Sequence, residues 1–406
     1  MPGFLDRHRA ARLMQDEGLD ALVLAQPESI IYATGAFPGV ATYWRRAGAA
    51  FVLVPADPEA PLAAVVGDLQ ARDFARQSGI GDVRTHRLWV ETGRFPEPPP
   101  DLPLRQPRPA QYDLAEALEQ LRDCLTARGL LKGRIGLELG FVPAADYPAF
   151  AAVPVAWHDC TRLVERLRAI KTPAEIDRLR HAALYARAGL TDLLEAAEPG
   201  MDAAQLTAIW RAGALEEAER RGHPAPQSSW AYISVAGDGF APGGPLEDGD
   251  LVKIDVGCVV AGYSSDGGRT AVAGTPHPEA RRIHDALRRS FDAGFACLAP
   301  GMPLAEIYRV TATRMWDQGF EAYGRGHFGH GVGASIWSEE WPFIAAGSDA
   351  VLEPGMVMAF ETPWYIDGLG GFIIEDQVLI TDAGCEVMAP LPRDLLPISR
   401  APRRSA

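Results

Sequence analysis

Apolar and polar positions alternate along this chain with two different periods. Over residues 5–18 the apolar side chains Leu5, Ala10, Leu13 and Met14 recur among charges at helical spacing, and Gly18 follows as a stop. Leu19–Ala25, Ala49–Val54 and Leu62–Val66 are short, mostly apolar runs, the signature of buried strands. Helical spacing returns over Leu114–Leu121 and Leu125–Leu131, and Ile135–Leu139 is strand-like. Strands alternating with helices predict an α/β domain over residues 1–160. Prolines at 96, 98, 99, 100, 103 and 107 make Arg94–Arg108 a surface loop.

From Thr161 to about Leu194 the chain is charged and helix-periodic, broken only at Lys171-Thr-Pro173. Pro173 suits the first turn of a new helix with Thr172 as its N-cap. Residues 202–221 form another amphipathic helix. From Ser228 the texture changes. Tyr232–Val235, Leu251–Val256, Thr270–Ala273, Met356–Glu361 and Gly371–Ile380 read as strands, and 278–297 and 303–319 as helices. Asp382-Ala-Gly384 marks a tight turn. Residues 161–406 are therefore expected to form an α+β domain with largely antiparallel pairing.

Polar residues interrupt this apolar texture. Asp255 ends the run Leu-Val-Lys-Ile, and Asp266 lies eleven residues on, in Tyr263-Ser-Ser-Asp-Gly-Gly-Arg-Thr270. Gly262 can make the turn between them, so the two aspartates can face each other on a strand pair. An acid at the end of an apolar strand is costly to bury unless it is paired or metal-bound; two turn-capping aspartates are the plainer reading. Glu361 breaks Met356-Val-Met-Ala-Phe, and Glu375 breaks Phe372-Ile-Ile. His330 sits among glycines in Gly326-His-Phe-Gly-His-Gly-Val-Gly333, with His327 three residues earlier, a structural neighbour or a residue facing substrate. A lone histidine is commonly structural. Taken together, however, carboxylates and one imidazole suit a pair of hard or borderline divalent ions such as Mn²⁺, Fe²⁺, Co²⁺ or Zn²⁺.

Composition narrows the function classes. The 406 residues are 47% hydrophobic and 23% charged, which excludes a disordered chain. Acidic residues outnumber basic ones 53 to 39, a formal net charge of -14. That balance argues against nucleic acid and against anionic membranes as partners. Five scattered cysteines without C-x-x-C spacing point to a reducing compartment, and neither a leader nor a membrane span is apparent. A cytoplasmic protein is expected.

The order Asp255, Asp266, then His330-Gly-x-Gly, then Glu361, then Glu375-Asp resembles the pita-bread metallopeptidase family of methionine aminopeptidase, prolidase, aminopeptidase P and creatinase. Leu167-Arg-Ala-Ile-Lys-Thr-Pro-Ala-Glu-Ile-Asp177 resembles the segment that opens its catalytic domain. Gly18-Leu-Asp-Ala-Leu-Val-Leu24, Pro27-Glu-Ser-Ile-Ile-Tyr32 and Thr34-Gly35 resemble the creatinase/prolidase-type N-terminal domain. The resemblance implies a creatinase-like α/β N-terminal domain followed by a pita-bread catalytic domain with a curved, mostly antiparallel sheet. It implies two divalent ions: Asp255 chelating one, Asp266 and Glu375 bridging, His330 and Glu361 holding the other. A metal-bridging hydroxide would then attack an amide, with Glu361 shuttling the proton and His330 serving the same chemistry. Creatinase itself dispenses with metal; this chain keeps all five ligand types. A homodimer is implied as well, and Trp44-Arg45-Arg46 is either a segment reaching a neighbour's pocket or a solvated basic loop.

Three positions depart from the family pattern. Phe240–Leu246 carries no histidine ahead of the Asp255 strand, Trp337 stands seven residues after His330 where a histidine is usual, and Ile373 replaces a basic residue two before Glu375. An indole donates one hydrogen bond but cannot shuttle a proton. Trp337, Trp341, Trp364 and Tyr365 flank the motifs, and Trp230 and Tyr232 precede them. These are core residues or an aromatic box for a small substrate; Trp337, Trp364, Tyr365, His327 and Trp230 are the substrate-binding candidates. Three functions remain open: an amide hydrolase similar to Xaa-Pro peptidases, a metal enzyme acting on a small non-peptide molecule by C–N hydrolysis or elimination, and a non-catalytic binding module on the same fold.

Overall fold

A computed structural model describes residues 3–90, 108–335 and 339–398. Most of the predicted loop Arg94–Arg108 and the candidate Trp337 lie outside these residues. The chain divides into two compact units, Met1–Arg168 and Ala169–Ala406.

The first unit runs α1 (Arg7–Glu17), β1 (Ala21–Leu24), α2 (Pro27–Thr34), β2 (Phe51–Pro55), β3 (Ala63–Gly67), α3 (Ala71–Ser78), β4 (Asp82–His86), α4 (Leu114–Ala127), β5 (Arg134–Leu137), α5 (Tyr147–Ala151), β6 (Ala156–Asp159) and α6 (Thr161–Ala169). Its sheet has the order β4-β3-β2-β1-β5-β6 and is mixed, with β2 antiparallel to both neighbours. Every residue of β1, β2 and β3 is buried, which is why these strands are continuously apolar rather than alternating. Asp6 caps α1 by accepting the Arg9 N–H, and Gly18 ends it in the left-handed region at φ 66°. The helical stretches expected over Leu114–Leu121 and Leu125–Leu131 form one helix, α4, which ends at Ala127, so residues 128–131 fall outside it. The sequence reading missed β4, whose Asp-Val-Arg-Thr-His is too polar to register because it is a half-exposed edge strand. The buried Glu138 accepts the N–H groups of Ala25 and Gln26 and the Ser29 hydroxyl, so its carboxylate fixes the start of α2.

The second unit begins with α7 (Pro173–Ala196) and α8 (Ala203–Arg220). Strands β7 (Ser228–Ala231), β8 (Ser234–Val235), β9 (Leu251–Val260), β10 (Tyr263–Ser264) and β11 (Gly267–Ala273) follow. Then come α9 (Pro278–Phe295), α10 (Leu304–Trp316), β12 (His327–Gly331), β13 (Glu340–Ala345) and β14 (Val357–Glu361). The unit closes with β15 (Trp364–Ile366), β16 (Gly370–Phe372), β17 (Ile374–Thr381), β18 (Gly384–Val387) and β19 (Leu396–Ile398). The main path of the curved sheet is β10-β9-β11-β17-β14-β12-β13, antiparallel throughout. β19 joins β11 in parallel.

Alternation assigns the two faces of this sheet. Ile254 and Val256 pack on α7 and α8 through Tyr185 and Trp210. Met358, Phe360, Ile374 and Val378 pack on α9 and α10 through Phe291 and Ile307. The residues between them in sequence, Asp255, Glu361 and Glu375, therefore share the opposite face. Two expected strands are divided in the structure. Tyr232–Val235 falls across the gap between β7 and β8, where the Tyr232 N–H reaches the Asp255 carbonyl instead of a regular ladder partner. Gly371–Ile380 is split at Ile373, whose N–H and C=O are both taken by the Thr270 hydroxyl, so β16 turns away to pair with β15. All five cysteines are free thiols, and no described helix is long and apolar enough to cross a membrane.

One core residue is destabilising as it stands. His284 on α9 is 1% exposed and neither ring nitrogen has a hydrogen-bond partner among the described residues. Burial pushes its pKa down to about 4. An unfolded imidazole titrates near 6.5, so the unfolded state binds more protons between these values. The stability from keeping His284 neutral is complete above pH 6.5 and is lost as pH falls towards 4, by roughly 3 kcal/mol in all. His284→Leu is expected to raise stability at neutral pH by about 1–3 kcal/mol and to flatten that acid limb. Urea unfolding of both proteins at pH 7.5 and pH 5 measures it; equal slopes with pH would refute it.

Candidate functional site

Strand register, not proximity in sequence, builds the site. Asp255 on β9 is paired with Gly268 on β11, Gly268 with Glu375 on β17, and Glu375 with Glu361 on β14. The three acids thus lie in one row across the sheet, with a glycine between the first two. Gly268 has no room for a side chain, because a Cβ there would come within 2.7 Å of Ile373 Cδ1. His330 on β12 pairs with Ala359, two residues before Glu361 and on the same face. Asp266, just ahead of β11, donates its N–H to Gln377 Oε1, and its Oδ2 lies 3.5 Å from His330 Nε2. One donor atom each from Asp266, His330 and Glu375 falls within 4.8 Å of the others. Asp266, His330 and Glu375 are thereby brought within ligating distance of one another, and Asp255 and Glu361 lie at the two ends of the row through Glu375.

The chemistry of this donor set fits divalent cations. His330 Nδ1 lies 3.1 Å from the Gly331 carbonyl, which can only accept, so the proton belongs on Nδ1 and Nε2 offers a lone pair to the cluster. A lone pair facing a carboxylate is repulsive unless a cation stands between them. Like charges directly opposite across a ladder, as Glu361 and Glu375 are, also repel. Burial first, then Asp266, Glu361 and Asp255, push the Glu375 carboxyl well above the usual range. Burial raises Asp255 against the opposing pull of Lys253, and raises Glu361 against Arg325.

These two cations were not singled out from the sequence. The Lys253 side chain is 1% exposed, with Nζ 3.3 Å from Asp255 Oδ2 and 5.3 Å above the Tyr365 ring. Arg325 donates Nη2 to Glu361 Oε1 at 2.8 Å and Nε to the His327 carbonyl. Lys253 carried the same signal as Asp255, a charge inside an apolar strand; Arg325 lies in a loop that gives none. His327 is not a partner ion for Glu361, although its Nδ1 is 3.6 Å from Oε1. That nitrogen accepts the Gly329 N–H, and burial beside Arg325 pushes the ring pKa down to about 4.

The aromatic candidates are dispersed. Tyr365 covers Lys253 and meets Phe240 edge-on at 5.6 Å, and burial pushes its hydroxyl up to about 12. Trp230 is committed to β10, its indole N–H donating to Ser264 Oγ. Trp364 packs edge-on against Phe320 and Tyr323 as part of the core under α9 and α10. The His327 ring lies against Phe343 and His330.

Comparison with known proteins matches residues 177–382 to the metallopeptidase family M24 and residues 7–170 to the creatinase/prolidase N-terminal domain. An uncharacterised peptidase of Bacillus subtilis, YqhT, is 32% identical over 276 residues, covering 65% of this chain and 74% of its own. A Xaa-Pro dipeptidase of Pyrococcus furiosus is 32% identical over 240 residues, covering 58% of this chain and 67% of its own. The structure of a Xaa-Pro dipeptidase from Bacillus anthracis superposes with a TM-score of 0.76 at 24% identity, covering 96% of this chain and 98% of that one; at that identity it establishes the fold alone.

Proposed function

The chain belongs to metallopeptidase family M24, and on that footing we propose that it is a two-metal hydrolase of short peptides, cleaving the amide bond that precedes proline. The observation that carries this reading is the cross-strand row Asp255, Glu375 and Glu361, with His330 and Asp266 closing on it. Asp255 would hold one ion, His330 and Glu361 the other, and Asp266 and Glu375 would bridge. Divalent ions bound there supply an acidified water and a polarised carbonyl. Glu361 accepts and returns the proton at Oε2, because Oε1 is held by Arg325. Lys253 keeps Asp255 oriented, and Tyr365, in edge contact with Phe240, lies over Lys253 at that end of the row. The names of the relatives, Xaa-Pro dipeptidases among them, support the substrate class.

Metal analysis of the purified protein and a Xaa-Pro dipeptide assay test this. Two ions of Mn, Fe, Co or Zn per chain and turnover near 10⁴ M⁻¹s⁻¹ or better, roughly an ordinary enzyme efficiency, are expected. Fewer than one ion per chain at saturating metal overturns the site.

A small non-peptide substrate, hydrolysed or eliminated, is the second reading. It is favoured by the Phe240–Leu246 segment, which offers no imidazole and places Phe240, 66% exposed, against Tyr365. Bound metal without any peptide turnover would select it.

A further inference from the structure

Asp266 and His330 approach to 3.5 Å although their strands are not neighbours, since β17 and β14 separate β11 from β12. Ladder hydrogen bonds alone do not fix that distance. We propose that Lys171 and Glu175, in the first turn of α7 and just before it, are positioning residues that hold the Asp266 and His330 segments at metal-binding separation. The inference rests on the proposed roles of these two residues as ligands.

A closed circuit of contacts supports it. Lys171 Nζ donates to Glu340 Oε1 at 2.8 Å, with side chains 1% and 9% exposed. Glu340 is paired with Gly331, the residue after His330. Its carboxylate closes on Gly333 so tightly that a Cβ there would lie 2.3 Å from Oε1. Gly333 in turn accepts the Ser264 N–H at 3.0 Å, and Ala334 is bridged to Tyr263. Ser264 and Ser265 lead directly to Asp266. The buried Tyr263 hydroxyl then donates to Glu175 Oε1 at 2.9 Å. Glu175 Oε2 accepts the N–H and hydroxyl of Thr172, the residue after Lys171, and the circuit is complete.

Two features separate this from ordinary helix capping. A capping box needs one carboxylate oxygen of Glu175; the other is spent on the strand that leads to Asp266. The same turn is also tied to the approach to β14, with the Lys171 N–H donating to the Gly355 carbonyl and Ile170 bridged to Met356. The start of α7 therefore grips the segments that carry Asp266, His330 and Glu361. Groups that orient metal ligands without touching the ion commonly change its affinity by about 10–100-fold when removed.

The test is Mn²⁺ titration of the metal-free full-length protein by calorimetry, with Co²⁺ absorption reporting the coordination geometry. The variants are Lys171→Met, Lys171→Arg, Glu175→Gln and Tyr263→Phe, each confirmed folded by circular dichroism at the temperature of titration. Mn²⁺ affinity is expected to fall about 10–100-fold in Lys171→Met and Tyr263→Phe, with an altered Co²⁺ spectrum, and to recover in large part in Lys171→Arg. A loss of packing alone would lower the melting temperature and leave both readouts at wild type, which overturns the proposal. Tyr263→Phe removes a single hydroxyl and decides the question by itself if the Lys171 and Glu175 variants do not fold. Wild-type protein that binds no Mn²⁺ would instead remove the proposed metal site, a distinguishable failure.

Discussion

Asp266→Asn and Glu375→Gln should each cut peptide hydrolysis on the order of 10³-fold or more, because Lewis-acid stabilisation amounts to several kcal/mol of the barrier. Both substitutions preserve shape and remove one charge from the centre of the cluster. Bound metal should fall below two ions per chain in each, measured by elemental analysis after dialysis. The same change should have the opposite effect on the metal-free fold. Burial first, and then repulsion from Asp266, Glu361 and Asp255, holds the Glu375 carboxyl well above the normal range. A neutral amide relieves that repulsion, so Glu375→Gln should melt higher than wild type in EDTA and lower in excess Mn²⁺. Wild-type activity in either variant, or the same order of melting temperatures with and without metal, would sink the assignment.

Arg269→Met is the second substitution with a large expected effect, and it acts on stability. The Arg269 side chain is 3% exposed and paired with Asp376, itself 3% exposed. It donates to the main-chain carbonyls of Gly268, Glu375, Leu391 and Pro392 as well. Removing one member of a buried ion pair leaves the other charge stranded, at a cost of about 3–5 kcal/mol. For a unit of this size the melting temperature should fall by roughly 6–20 °C. Arg393 also reaches Asp376 Oδ2, but its own side chain is 24% exposed. Arg393→Met should therefore cost clearly less, since Arg269 still compensates the carboxylate. Thermal unfolding of the metal-free proteins compares the two, and a loss below about 1 kcal/mol in Arg269→Met, the range of an exposed pair, would show that the network contributes little. Arg269 also holds the Glu375 carbonyl, so metal affinity should weaken along with the fold.

The two networks differ in how visible they are in the sequence. Asp255, Glu361 and Glu375 stand out because each interrupts an apolar strand, and a buried carboxylate is too expensive to occur without a purpose. Asp266 and His330 were found through glycine-rich context and through resemblance to a family. Arg269 sits in the same stretch as Asp266 and went unremarked, because a charged residue after two glycines looks like a surface turn. Arg325 was equally silent, although it alone among the described cations hydrogen-bonds Glu361. Lys171 and Thr172 were legible as a helix start, and the capping box at Thr172 and Glu175 fits that reading. Nothing in the sequence shows that Glu175 also reaches Tyr263, a contact between residues 88 positions apart.

The sequence by itself determined the kinds of group available and the face each occupies on its own strand. Alternation places Asp255 opposite Ile254, and Glu361 opposite Phe360, whatever the strands pair with. The division of the chain into an α/β half and an α+β half follows from the same local periods. Only the tertiary structure decided that Asp255, Glu375 and Glu361 form one row, with Gly268 as the gap in it and Lys253 and Arg325 at its ends. The period of two residues is a local property of an extended chain, whereas neighbour and register come from pairing between distant segments. Here the strand order β9-β11-β17-β14-β12 departs from chain order, and a slip of one residue in any pairing would turn an acid of the row into the helix-covered core.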